Sequence, residues 1–202
     1  MLGDSGMTIW LTGLPCSGKT TIAKALAERL IGEGRRVEVL DGDVVRRHLS
    51  SGLGFSREDR DRHVRRVGFV ANLLSRNGVV VIAALVSPYR AVRDELRASI
   101  DRFVEVHVDC PSSECERRDV KGMYEKARAG SLPHFTGVDD PYERPEHCEV
   151  TLHTELETVE ESTESILHAL RRLGYTQDEP QPSAAAQKLR SRKPELGAWR
   201  TE

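Results

Sequence analysis

The residues that decide the fold run from Gly13 to Thr20 and read Gly-Leu-Pro-Cys-Ser-Gly-Lys-Thr, which matches the pattern GxxxxGK[ST]. Residues 8–12, before this stretch, form a short apolar run typical of a β-strand. Residues 20–30, after it, carry apolar side chains at helical spacing. A glycine-rich turn can match such a pattern by chance, but a strand, a loop and a helix in this order favour a phosphate-binding loop.

Each residue type in this loop has a chemical reason to be there. Gly13 and Gly18 allow the backbone angles that turn N–H groups inward, and the positive end of the following helix adds to their field. Lys19 supplies a cation for the β- and γ-phosphates of a nucleotide, and the Thr20 hydroxyl is a ligand suited to Mg²⁺. We therefore expect the loop to bind ATP with Mg²⁺, through Gly13, Cys16, Ser17, Gly18, Lys19, Thr20 and Thr21, with Arg117 as a further contact.

The hydrophobic pattern alternates between strands and helices along the chain, which indicates βαβ units. Strands are predicted at residues 8–12, 37–40, 79–86, 103–108 and 150–152, and helices at residues 20–30, 56–77 and 158–173. The predicted fold is therefore a P-loop NTPase fold, with a parallel sheet of about five strands flanked by helices. We expect residues 1–175 to form one kinase domain, with residues 119–148 as a polar mobile lid, and residues 176–202 to form a disordered tail with few apolar anchors.

Composition excludes several other classes of protein. The chain has 202 residues and a formal net charge of −2, whereas a dedicated nucleic-acid binder is usually strongly basic. No apolar run approaches the roughly 20 residues that span a bilayer. The four cysteines are scattered and the first residues carry no basic segment, so we expect no zinc site, no signal peptide and a reduced, cytoplasmic setting.

Two carboxylates follow the second predicted strand. Asp41 and Asp43 flank Gly42 at its carboxyl end, which we expect to lie beside the first strand and near the phosphate loop. A kinase needs one carboxylate to orient or deprotonate the attacking hydroxyl and another to help hold Mg²⁺. Asp-Gly-Asp is also ordinary turn chemistry, so the position of the pair, rather than its composition, favours the functional interpretation.

Cations and aromatic residues follow in the next segments. Seven arginines but only three acidic residues lie between Arg46 and Arg66, and arginine forks suit phosphate or sulfate oxygens, although some of these arginines would simply face solvent. The lid carries further basic residues around Phe135. That ring is either a stacking surface for a base or an anchor that packs on the core, and the bare sequence favours neither.

Several blocks together resemble the adenylylsulfate (APS) kinase family, in the family's order over residues 8–175. They are the phosphate loop, Asp41-Gly42-Asp43, Gly54-Phe55-Ser56, Asp59-Arg60 with Arg65-Arg66, Ser87-Pro88-Tyr89-Arg90, Cys115-Glu-Arg-Arg-Asp119, residues 121–130 and residues 135–143. The last block is the most specific. The resemblance implies transfer of the γ-phosphoryl group of ATP to the 3′-hydroxyl of adenylyl sulfate, a step in sulfate activation. It also implies a cytoplasmic homodimer.

The resemblance assigns a role to each matching residue. Asp43 would be the base or orienter for the ribose hydroxyl, helped by Lys19, with Asp41 and Thr20 at the metal. Phe55 and Phe135 would sandwich the adenine of the acceptor. The remaining substrate contacts would be Arg46 and Arg60 at the phosphosulfate, His63, Ser87 and Arg90 near the acceptor, and Lys121 and Lys126 on the closing lid.

Three positions depart from the family pattern. Val44 and His63 each stand where the family usually has asparagine, and Phe69 replaces an acidic residue. These changes lie on the acceptor side, so a related kinase that phosphorylates another nucleotide-like or sugar hydroxyl stays an alternative. A regulatory ATP-binding module without catalysis is a second alternative, which the intact Lys19 and Asp43 disfavour.

Overall fold

The fold was analysed in a computed structural model that describes residues 6–176. Five parallel strands form one sheet in the order β2-β3-β1-β4-β5. The strands are β1 (Met7–Thr12), β2 (Val37–Asp41), β3 (Val80–Ala84), β4 (Phe103–Asp109) and β5 (Val150–His153). The helices are α1 (Lys19–Gly32), α2 (Gly42–Leu49), α3 (Arg57–Ser75), α4 (Arg90–Ser99), α5 (Ser112–Arg118), α6 (Met123–Arg128) and α7 (Val159–Arg172).

Helices cover both faces of the sheet, which explains why its central strands are apolar throughout. All residues of β1 and β3 are buried, as expected for strands packed on two sides. Alternate side chains face opposite layers: Ile9 and Leu11 pack with α1 and α7, whereas Trp10 packs with α3 and α4. The predicted parallel sheet of five strands and its flanking helices are therefore confirmed.

The expected position of the second strand in the sheet was wrong. The second strand does not lie beside the first, because β3 pairs with both and separates them. Their carboxyl ends nevertheless reach the same edge of the sheet, since all the strands are parallel. The sequence analysis also did not identify α2, α4, α5 or α6. Helix α2 was missed for a local reason. The Asp41 side chain accepts hydrogen bonds from the Asp43 and Val44 amides, so Asp-Gly-Asp caps the start of a helix instead of forming a simple turn.

The predicted lid contains structure of its own and packs on the phosphate loop. The Asp119 carboxylate accepts hydrogen bonds from the backbone amides of Met123, Tyr124 and Glu125, which starts helix α6. The Tyr124 hydroxyl donates to the Pro15 carbonyl oxygen at 3.1 Å. These contacts place the lid over the loop that the sequence assigned to phosphate binding.

Two predictions concern the ends of the chain and membranes. The predicted tail, residues 176–202, lies outside the described residues apart from Thr176. Within residues 6–176, no helix combines the length and the apolar character that a bilayer span requires.

Candidate active site

The carboxyl ends of β1, β2 and β3 border a cavity of about 300 Å³. This edge of a parallel sheet is where ligands bind in open α/β folds. The phosphate loop forms one wall, helices α2 and α3 a second, the chain after β3 a third, and the lid covers the remaining side. Residues from distant parts of the sequence therefore meet around one enclosed volume.

The phosphate loop has the backbone geometry that anion binding needs. A Cβ atom on Gly13 would collide with the Val108 carbonyl oxygen, so only glycine allows β1 and β4 to approach this closely. Gly18 adopts a left-handed conformation with φ of 100° and immediately precedes α1. The 14-residue helix α1 thus begins at Lys19 and directs its positive end toward the loop.

Lys19 is buried inside this loop. Its Nζ donates to the carbonyl oxygens of Gly13 at 3.0 Å and Leu14 at 2.6 Å, and to Ser17 Oγ at 3.3 Å. Burial lowers the pKa of Lys19 to about 8, although nearby ionisable groups oppose the shift. The side chain is therefore a cation at neutral pH whose hydrogen-bond partners are uncharged, which favours an anionic ligand.

Thr20 and Asp41 join the start of α1 to the end of β2. Thr20 Oγ1 donates to Asp41 Oδ2 at 2.8 Å, and Asp41 Oδ1 accepts from the Asp43 amide at 3.0 Å. A hydroxyl and a carboxylate thus lie side by side at the mouth of the phosphate loop. Hard oxygen ligands of this kind suit Mg²⁺, so the residues present fit that ion.

Asp43 lies on the first turn of α2 and faces the lid. Its carboxylate forms an ion pair with Lys121 Nζ, which raises the pKa of Lys121. Both side chains line the cavity, and both are more than half exposed. A lid cation therefore reaches across the cavity to the carboxylate that the sequence predicted as the base.

Two arginines and an aromatic ring form the wall that the sequence analysis predicted to bind the acceptor. The guanidinium carbons of Arg46 and Arg60 lie 4.4 and 5.3 Å from the centre of the Phe55 ring. Arg46 also donates to the Gly54 carbonyl oxygen, and Arg60 to that of Phe55 at 3.0 Å. Partial burial lowers the pKa of both arginines, which remain cations. The group offers two positive charges beside a stacking surface.

His63 also lines the cavity, and its charge state follows from its surroundings. The ring is buried, with Nδ1 2.8 Å from Ser50 Oγ. Burial, together with the positive charges of Arg46, Arg66 and Arg60, lowers the pKa of His63 to about 4. A neutral imidazole therefore stands between the arginines at neutral pH.

Phe135 combines the two interpretations that the sequence left open. The side chain is only 6 % exposed and packs edge-on against Tyr124, with ring centroids 4.9 Å apart, as expected for a packed anchor. The same residue lines the cavity, as does the more exposed Phe55. Phe135 is thus a lid anchor and a cavity wall at once.

Ser87 closes the sheet side of the cavity. It is buried and has a positive φ of 38°, which is uncommon for a residue with a side chain. Its hydroxyl accepts a hydrogen bond from Trp10 Nε1 and bonds Thr12 Oγ1, both at 3.0 Å. The chain after β3 is therefore held firmly where it borders the cavity.

Several predicted contacts do not line the cavity in this conformation. Arg117 is 74 % exposed and pairs with Glu114, and Arg90 pairs with Glu146 at 2.5 Å. Lys126 and Thr21 are also exposed and lie outside the cavity wall. Gly13, Ser17 and Gly18 of the phosphate loop also lie outside the cavity wall. The ligand contacts of all the predicted site residues stay predictions. Conversely, the cavity is also lined by residues that were not predicted as contacts, among them Pro15, Val64, Pro88, Met123 and Thr136.

The fold and this site define the chain as a P-loop kinase. The cavity is bordered by a phosphate loop, by a hydroxyl–carboxylate pair beside that loop, by a second carboxylate, and by a wall of arginines and aromatic rings. The family follows from comparison with known proteins. The family model described as "Adenylylsulphate kinase" matches residues 5–153, and the chain belongs to that family.

Individual relatives agree with this assignment. An adenylyl-sulfate kinase of Rippkaea orientalis is 58 % identical over 172 residues, which are 85 % of this chain and 95 % of the relative. One from Picosynechococcus sp. is 56 % identical over 170 residues, 84 % of this chain and 96 % of the relative. The structure is similar to that of the Mycobacterium tuberculosis APS kinase in complex with AMPPNP and APS, with a TM-score of 0.79, 40 % identity and coverage of 83 % and 98 %.

Proposed function

We propose that this chain transfers the γ-phosphoryl group of ATP to the 3′-hydroxyl of adenylyl sulfate, giving ADP and 3′-phosphoadenylyl sulfate. One observation carries the proposal beyond family membership. A single cavity joins a phosphate loop to a wall of two arginines and two aromatic rings, Phe55 and Phe135. An acceptor that is both a nucleotide and an anion would use both features of that wall.

The donor half of the reaction uses the phosphate loop. The loop amides and Lys19 bind the β- and γ-phosphates, and Lys19 meets the negative charge that develops on the bridging oxygen as the bond to the γ-phosphorus breaks. Thr20 and Asp41 would hold Mg²⁺, which neutralises charge on the phosphate oxygens. The buried position of Lys19 strengthens its interaction with the phosphates, since little water screens it.

The acceptor half uses Asp43 and the arginine wall. The 3′-oxygen forms a bond to the γ-phosphorus, and its proton passes to the Asp43 carboxylate. Lys121 pairs with that carboxylate and so fixes its position. Arg46 and Arg60 bind the phosphosulfate, His63 and Ser87 contribute neutral hydrogen-bonding groups, and the two rings stack on the base.

Product identification tests this proposal directly. The enzyme is incubated with Mg-ATP and adenylyl sulfate, and the nucleotides are separated and weighed by mass spectrometry. We expect ADP and a product heavier than adenylyl sulfate by one phosphoryl group, located at the 3′ position by NMR. ATP turnover with another hydroxyl compound but none with adenylyl sulfate would reject the acceptor and favour the related-kinase alternative.

We also infer a cytoplasmic homodimer, as the family resemblance implies. Support comes from helix α3, where Phe69 is 70 % exposed and Leu73 is 39 % exposed, next to a groove with both arginines and acidic residues. A face with apolar groups and both signs of charge suits contact with a second copy of itself. Sedimentation equilibrium should give twice the mass of the chain, and Phe69→Ser should shift it toward the monomer. A monomeric wild type would contradict this inference.

A further inference from the structure

Buried polar side chains normally have a hydrogen-bond partner, so the exceptions are informative. Within residues 6–176, four buried side-chain oxygens have none: Thr8 Oγ1, Asp61 Oδ1, Thr136 Oγ1 and Thr176 Oγ1. Three of these residues lie away from the active-site cavity. Thr136 lines it. An unpaired hydroxyl at the wall of a ligand cavity needs an explanation that the fold does not supply.

Thr136 is held in place by the backbone around it. The residue is 1 % exposed and forms a bridge with Asp140, and the Gly137 amide donates to the Asp140 carbonyl oxygen at 2.8 Å. The Asp139 carboxylate accepts from the amides of His134 and Phe135, each at 2.6 Å. The backbone around Thr136 is therefore ordered, and its hydroxyl has no partner within the described residues.

The segment is also packed tightly against the phosphate loop. Gly137 adopts a φ of 94°, and a Cβ atom there would lie 2.9 Å from Leu14 Cδ2. Only glycine fits this position without displacing Leu14. Thr136 therefore has little freedom to turn away and find a partner elsewhere in the protein.

The neighbours of Thr136 belong to the acceptor side of the cavity. It directly follows Phe135, one of the two rings of the acceptor wall. Arg60 donates to the carbonyl oxygen of His134 and lies 4.0 Å from Asp140 Oδ2. The segment that contains Thr136 is therefore in contact with a cation of the acceptor side. The phosphates of ATP, by contrast, would meet the loop amides and Lys19.

We propose that the Thr136 hydroxyl hydrogen-bonds the acceptor nucleotide and is a further substrate-binding residue of this enzyme. The inference rests on the proposed function and adds a residue to it. A buried hydroxyl that is unpaired until the ligand arrives contributes to affinity when the bond forms. Its removal should weaken acceptor binding about tenfold, as expected for one neutral hydrogen bond.

The test compares Thr136→Val, which keeps the shape and removes the hydroxyl, with Thr136→Ser, which keeps the hydroxyl. We measure KM for adenylyl sulfate, KM for Mg-ATP and kcat, together with the thermal unfolding midpoint. We expect Thr136→Val to raise KM for adenylyl sulfate about tenfold, with KM for Mg-ATP unchanged, and Thr136→Ser to restore most of the loss. The unfolding midpoint of Thr136→Val should equal or exceed that of the wild type, because an unpaired buried hydroxyl is removed.

Other outcomes would overturn the proposal. An unchanged KM for adenylyl sulfate, or an increase confined to Mg-ATP, would reject the contact with the acceptor. If Thr136→Val does not fold, Thr136→Ala replaces it, and the same comparison with Thr136→Ser decides. A wild type that turns over no adenylyl sulfate would instead refute the proposed function, and with it this role. Failure of the inference alone therefore differs visibly from failure of the proposed function.

Discussion

Burial leaves two basic side chains of the same cavity in different charge states at neutral pH. Burial lowers the pKa of Lys19 to about 8 and that of His63 to about 4. Because lysine starts from 10.5 and histidine from 6.5, Lys19 stays a cation at neutral pH, whereas His63 is neutral. The site thus contains a charged group for phosphate and a neutral hydrogen-bonding group among arginines.

His63 gives a prediction about stability and pH. Its pKa is lower in the folded chain than in the unfolded chain, so the unfolded state binds more protons between pH 6.5 and about 4. Stability should therefore fall as pH falls through this window. His63→Asn should remove up to about 3 kcal/mol of this loss in the free energy of unfolding. The figure follows because the pKa of His63 is lowered from 6.5 to about 4, and one pKa unit corresponds to about 1.36 kcal/mol.

Urea unfolding at pH 7 and at pH 4.5 measures this effect. His48→Asn, which replaces an exposed histidine on α2, is the matched control. An NMR titration of the folded wild type should also show His63 neutral at pH 5.5. A His63 ring that titrates near 6.5 would contradict the account of its burial.

Single residues also differ in whether their roles could be predicted from the sequence. The phosphate loop could be assigned because its residue types and their flanking elements are local features of the chain. Thr136 could not, because a threonine in a polar segment is ordinary until the fold encloses its hydroxyl. Phe135 lay between these cases: its position was recognised, but its packing on Tyr124 depends on a tertiary contact.

At the scale of elements, one buried arginine joins four parts of the fold. Arg93 on α4 donates to Glu105 of β4 at 2.7 Å, and to the carbonyl oxygens of Ser87 and Glu143 at 2.6 Å each. It therefore links a helix, a strand, the chain after β3 and the end of the lid. Its side chain is fully buried, so its hydrogen bonds are not exchanged for water.

Replacement of Arg93 should be costly for this reason. Arg93→Met leaves Glu105 with one remaining partner, Arg97, and removes a hydrogen bond from each of two carbonyl oxygens, those of Ser87 and Glu143. We expect a loss of about 3 kcal/mol in the free energy of unfolding. Arg65→Met, which removes an exposed pair with Glu95, should cost less than about 1 kcal/mol. Equal losses in denaturant unfolding would contradict the role of Arg93 as a buried link.

The length and composition of each helix and strand explain whether the sequence could predict it. Strands β1 and β3 are short, largely apolar runs, and α1, α3 and α7 are long helices. Helices α5 and α6 have only seven and six residues, so they carry little periodic signal. Strand order could not be read from the sequence either, since no local feature specifies that β3 lies between β1 and β2.

At the scale of the whole molecule, the sheet brings together functional groups that lie far apart in sequence. Lys19, Asp43 and Ser87 follow three neighbouring parallel strands and meet at one edge, while the lid contributes Lys121 and Phe135. The sequence predicted this edge from the alternation of strands and helices. The enclosure of the cavity depends on lid packing, which only the structure reveals.

We propose that Asp43 accepts the proton of the attacking hydroxyl in this cavity. The most direct measurement is the rate of ADP release with saturating Mg-ATP and adenylyl sulfate, for the wild type and for Asp43→Asn. Asp101→Asn, an exposed carboxylate outside the cavity wall, is the control. We predict that kcat falls by about 10²- to 10⁴-fold in Asp43→Asn and is unchanged in the control, with Mg-ATP still bound. Wild-type turnover in Asp43→Asn would contradict the account.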